Sequence, residues 1–108
     1  MIYLDNAATS GFKTYAVTET AINAIKYLSA NPGRSGHRLS VKGAETIFNA
    51  RKMLKTAFNA ESENKVIFTD GCTSALNMAI LGSVKKGGNV VTTVFEHNSV
   101  LRPLYYLK

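Results

Sequence analysis

Apolar positions along the chain follow a helical period in the first half and an extended pattern in parts of the second. Val17, Ala21, Ala24, Ile25 and Leu28 recur at the spacing of one helical face, which predicts a helix over about residues 14–29. Asn31-Pro32-Gly33 then stops it. A second helix is predicted over residues 41–59, with Ala44, Ile47, Phe48, Leu54, Ala57 and Phe58 on one side and Ser40 as its N-cap. Gly43 in its first turn costs about 0.5–1 kcal/mol relative to alanine, which points to a neighbour packed close against it. Between the helices, Arg34-Ser35-Gly36-His37-Arg38-Leu39 is polar, basic and glycine-bearing, a loop ordered by what it touches.

The second half adds strand signals. Ile2-Tyr3-Leu4 already makes a short extended start to the chain, and Lys65-Val66-Ile67-Phe68-Thr69 and Asn89-Val90-Val91-Thr92-Thr93-Val94 are rich in β-branched and aromatic residues. Between the last two, Leu76, Ala79 and Ile80 mark a helix that closes before Lys85-Lys86-Gly87-Gly88. Strand, helix and strand in about 30 residues predict a right-handed βαβ crossover in a mainly parallel sheet. Residues 99–107 read as another helix, with Pro103 in its first turn or bending it. The expected class is therefore α/β. Two strands do not complete a parallel sheet, so the segment is expected to be part of a larger one. It divides into residues 1–40, an arm, helix and loop, and residues 41–108, a helix followed by the start of an α/β domain.

Composition narrows the function classes. The chain's 108 residues are 45% apolar, enough for one small domain. The net charge of +6 would permit an anionic partner, but the cations are scattered and no run interleaves them with aromatics, so no nucleic-acid role is expected. Cys72 is the only cysteine, which excludes an intrachain disulfide and a cysteine zinc site and fits a reducing, cytoplasmic compartment. His37 and His97 are too few for a histidine metal site, so no metal is expected. No secretory leader is visible, and no apolar run approaches the ~20 residues that cross a bilayer.

Two segments carry candidate chemistry. Thr69-Asp70-Gly71-Cys72-Thr73-Ser74 leads from a predicted strand into a helix, where unpaired backbone N–H groups and the helix dipole favour an anion such as phosphate. Thr73 and Ser74 can cap that helix or bind a phosphate oxygen; the sequence is not a Walker motif, and an ordinary N-cap explains the same residues. Glu96-His97-Asn98 follows the second predicted strand, on the sheet edge where ligands bind in open parallel sheets. His97 can stack on an aromatic ligand or carry a proton, with Glu96 orienting it; a satisfied turn histidine is the plainer alternative. Arg34, His37 and Arg38 can receive a carboxylate or phosphate, or simply be solvated surface charge. Cys72 reads as a packing residue of the turn and not as a nucleophile.

Four blocks taken together, Tyr3-Leu4-Asp5-Asn6-Ala7-Ala8-Thr9, Asn31-Pro32-Gly33-Arg34-Ser35-Gly36-His37, Phe68 through Asn77, and Glu96-His97-Asn98-Ser99-Val100, resemble in order and spacing the N-terminal part of class V aminotransferase-like enzymes that use pyridoxal 5'-phosphate (PLP). Cysteine desulfurases are the most similar group, and the resemblance covers nearly the whole chain. It implies the large domain of the fold type I PLP-dependent transferases. It also implies that Cys72 and Thr73 hold the PLP phosphate and that His97 stacks on the pyridine ring and serves proton transfer as the catalytic residue of this segment. Asn6, Ala7, Asn31, Arg34 and His37 match segments lining the active-site entrance near a dimer interface. Ser74 departs from the pattern, standing where many members have Glu.

Members of the family run several times this length. Their Schiff-base Lys, the Asp paired with the pyridine nitrogen, the Arg for the substrate carboxylate and the mobile sulfur-accepting Cys are expected downstream; Lys108 is not in a matching context. The resemblance implies conversion of L-cysteine to L-alanine and an enzyme persulfide by the intact protein, with a homodimer and a sulfur-acceptor protein as partners. The segment alone is expected to be inactive and to self-associate through its uncovered sheet edge. The alternatives are another class V enzyme, a selenocysteine lyase or an aminotransferase, or a truncated, non-catalytic folding module.

Overall fold

In the computed structural model, which describes residues 2–34 and 36–108, the helical periods produce helices close to where they are expected. Ser35, in the loop between the first two, lies outside the described residues. Chain packing separates two units, Met1–Lys65 and Val66–Lys108.

In the first unit, α1 spans Tyr15–Tyr27 and α2 spans Arg38–Ala57. The N-cap of α2 differs from expectation. His37 holds that position, its Nδ1 accepting the Ser40 backbone N–H at 3.3 Å. Ser40 instead lies inside the first turn, where its hydroxyl donates to the Asn31 carbonyl at 2.6 Å, and it is only 1% exposed. This one contact ties the stop of the first helical segment to the start of the second. Gly43 has the close neighbour its position implies, since a Cβ there would lie 3.4 Å from the Pro32 Cβ. At its other end α2 closes with Ala60 N–H on the Lys55 carbonyl (2.9 Å) and Asn59 N–H on the Thr56 carbonyl (3.4 Å), with Asn59 at φ 50°. That is the Schellman arrangement, with asparagine in the left-handed position usually given to glycine. A short 3-10 turn, Glu63–Lys65, packs on α2.

In the second unit, α3 spans Cys72–Ser83 and α4 spans Asn98–Leu107, and the two pack together. The turn between them includes Gly87 at φ 79°, with Gly88 N–H donating to the Lys85 carbonyl at 2.9 Å. The predicted strands do not form: residues 66–69 and 89–93 are irregular, and no strand ladder is present among the described residues. Their β-branched composition is suited to a sheet, but composition does not pair backbones. Two strands joined by a crossover need not be neighbours in their sheet, and each then depends on other strands for its hydrogen bonds. The crossover helix α3 is formed, but Val91 beside it is 100% exposed. Apart from Pro103, no aliphatic or aromatic side chain among the described residues is buried, so the apolar faces written into the sequence are left largely uncovered. Among the described residues no helix is long and apolar enough to cross a membrane.

Pro103 does not sit in the first turn of α4 but farther along, inside the helix, because α4 begins directly after its cap at His97. Proline has no N–H to donate to the carbonyl four residues back, which is that of Ser99. Asn77 of α3 supplies the donor instead: its side-chain amide reaches the Ser99 carbonyl at 3.4 Å.

Candidate functional site

Two helix starts define the site. At α3, Gly71 is the N-cap residue in an extended conformation and no side chain caps the helix. Thr69, two residues earlier, donates its hydroxyl to the Gly71 carbonyl at 2.9 Å and so fixes the approach to the turn. The first N–H groups of α3 are therefore left without a side-chain acceptor, at the end of the helix whose dipole favours an anion. Thr73 and Ser74 do not cap it.

At α4 the opposite holds. His97 is the N-cap, and its Nδ1 accepts the Ser99 backbone N–H at 3.2 Å, with the Ser99 hydroxyl 2.9 Å from the same nitrogen. An Nδ1 that accepts leaves the neutral imidazole with its proton on Nε2. Glu96, expected to orient this ring, turns elsewhere, its carboxylate accepting from the Thr93 hydroxyl at 3.2 Å. Ser99 takes the orienting role because a helix N-cap bonds forward into its own first turn, not back to the preceding residue.

Thr73 and His97 line one open cleft of about 410 Å³, together with Asn77, Asn98, Ser99 and Arg102. Cys72 opens α3 with an exposed free thiol and is not among the residues of that cleft wall. The remaining expected residues belong to the first unit. Asn6 accepts the Gly11 N–H at 3.1 Å through Oδ1, and Ala7 lies exposed in the same turn. Asn31 accepts the Gly33 N–H at 3.1 Å and, through its carbonyl, the Ser40 hydroxyl. His37 is spent on the α2 cap, and Arg34 lines a separate open cleft with Pro32, Ser40 and Phe48. Among the described residues no group of His, Cys, Asp and Glu could hold a metal ion.

Sequence reasoning passed over Asn77 and Arg102. The signal for Asn77 was present: it stands four residues after Thr73, and Pro103 stands four after Ser99, so one residue has a reaching amide where the other leaves an orphaned carbonyl. Nothing in the linear chain says that the two meet.

The aminotransferase class-V family model matches residues 2–108, and the chain belongs to that family, whose fold is at the coarse level that of the fold type I PLP enzymes. Three of its curated relatives are named as cysteine desulfurases. A probable cysteine desulfurase of Synechocystis is 35% identical over 107 residues, covering 95% of this chain and 25% of its own. A probable cysteine desulfurase of Borreliella burgdorferi is 37% identical over 109 residues, with the same coverage. Cysteine desulfurase IscS of Buchnera aphidicola subsp. Schizaphis graminum is 34% identical over 113 residues, covering 99% of this chain and 28% of its own. The chain thus spans about a quarter of the length of these relatives. No solved structure gives a significant match.

Proposed function

We propose that this chain supplies the phosphate cradle and the ring-stacking histidine of a PLP-dependent cysteine desulfurase. One observation carries the reading: Thr73, at a helix start with no side-chain cap, and His97, at the start of a second helix, line the same cleft. The residues fit the cofactor. Open amides and a threonine hydroxyl suit a phosphate, and an imidazole beside them suits an aromatic ring.

When bound, PLP supplies the electron sink for the bond changes at the amino acid. The protein's part is binding and orientation. The opening amides of α3 at Cys72 and Thr73, with the Thr73 hydroxyl, grip the phosphate, and Arg102 adds positive charge to the same cleft. His97 presents its ring face, and with Nδ1 engaged it holds and donates a proton at Nε2. Overall, L-cysteine and a protein thiol give L-alanine and a protein persulfide, the substrate sulfur forming a bond to the thiol sulfur as its bond to carbon breaks. Cys72 serves in the cradle and is not that thiol. Asn6, Ala7, Asn31, Arg34 and His37 shape the entrance, and the protein acts as a cytoplasmic homodimer that passes its sulfur to an acceptor protein.

The test is a PLP titration of the full-length protein, followed by visible absorbance. The expected result is a bound-cofactor band that changes on addition of L-cysteine, and a Thr73→Val variant about tenfold weaker for PLP, the effect of one hydrogen bond to a charged group. A colourless full-length protein indifferent to L-cysteine would end the reading.

A further inference from the structure

We infer that Asn77 is a positioning residue that holds the first turn of α3 against the first turn of α4, and so sets the placement of Thr73 relative to His97; the inference rests on the PLP reading above. The Asn77 side-chain NH₂ has two hydrogens and two acceptors: the Thr73 carbonyl at 2.8 Å, one turn back on its own helix, and the Ser99 carbonyl at 3.4 Å, on the facing one. The second acceptor receives no N–H from four residues on in its own helix, because that residue is Pro103. Ser99 is 6% exposed and Pro103 is also buried, so water does not readily replace the missing donor. Ser99 in turn donates its N–H to His97 Nδ1. A continuous path therefore runs from the Thr73 backbone through Asn77 and Ser99 to the imidazole, and joins positions 22 residues apart at its Asn77 to Ser99 step.

Simple satisfaction of a buried carbonyl predicts something different from positioning, and Pro103 separates the two. In a Pro103→Ala variant, residue 103 regains an N–H for the Ser99 carbonyl, which removes the orphan but builds no link between the helices. The experiment compares the full-length protein with Asn77→Leu, Pro103→Ala and the double variant. It reads PLP affinity, thermal midpoint and, without cofactor, amide hydrogen exchange at Ser99 and Val100. Asn77→Leu is expected to weaken PLP binding about tenfold and to speed exchange at those two amides by a similar factor. In the Pro103→Ala background the loss of thermal midpoint should shrink while the loss of affinity persists. If the affinity loss disappears along with the stability loss, or if Asn77→Leu changes neither affinity nor exchange, positioning by Asn77 is overturned. Absence of PLP binding by the unsubstituted protein, with exchange still accelerated by Asn77→Leu, would overturn the PLP reading and leave the Asn77 bridge standing.

Discussion

His97 and Ser99 hold each other at the start of α4, the imidazole Nδ1 receiving the Ser99 N–H at 3.2 Å with the Ser99 hydroxyl 2.9 Å away. The same ring therefore has a structural duty as an N-cap and a proposed duty as a stacking surface. Asparagine can do the first but not the second. His97→Asn should keep the thermal midpoint close to that of the parent and still lose PLP affinity. His97→Ala should lose affinity and in addition about 0.5–2 kcal/mol of stability, the usual cost of an N-cap side chain. Thermal melts and PLP titrations of the two variants, side by side, check this; equal melting losses would show that the ring does not cap.

A second dependence lies in the other unit. Ser40 is 1% exposed and its hydroxyl donates to the Asn31 carbonyl at 2.6 Å. Ser40→Ala removes that hydrogen bond while the exposed Asn31 can turn its carbonyl to water, so the expected cost is about 0.5–1.5 kcal/mol. Urea unfolding should show a lower midpoint with an unchanged slope, and a midpoint within error of the parent would mean that the carbonyl finds another donor.

Gly43 lies against Pro32, but a Cβ there meets Pro32 Cβ at 3.4 Å, ordinary contact and not a clash. Gly43→Ala should therefore stabilise the protein, by about 0.5–1 kcal/mol, through the helix preference of alanine. A rise in thermal midpoint is the expected readout; a fall would show that α2 and the Asn31-Pro32 stop are packed more tightly than this.

Asn59 closes α2 at φ 50°, where a Cβ is disfavoured. Asn59→Gly should hold or raise stability, by up to about 1 kcal/mol, and Asn59→Val should lower it by about 1–2 kcal/mol because a β-branched side chain is least compatible with that backbone. Paired denaturation curves decide the order of the three.

Self-association follows from what is uncovered. Val91, Val94 and Phe95 are almost fully exposed on the segment leading to the His97 turn. Sedimentation of this chain is expected to show concentration-dependent association, and a monomer at all concentrations would mean that these side chains need no cover.

The order of hydrophobic positions along this chain was enough to locate α1, α2, α3 and α4, because helix periodicity is written in neighbours three and four residues apart and needs no distant partner. The four short blocks were likewise legible, since spacing and residue type are linear properties, and the family match over residues 2–108 agrees with them. Strand composition at residues 66–69 and 89–93 did not become a sheet, because a ladder is a contract between backbones that local sequence cannot make alone. The two histidines illustrate the same division. Both His37 and His97 cap helices in this fold, a role that composition assigns to Ser, Thr, Asn and Asp, and Ser40 was read as the cap that His37 turned out to be. Only the packed structure could bring Asn77 to Ser99, or turn Glu96 toward Thr93 and away from His97, because those choices are made by geometry between helices and not by any residue's own preference.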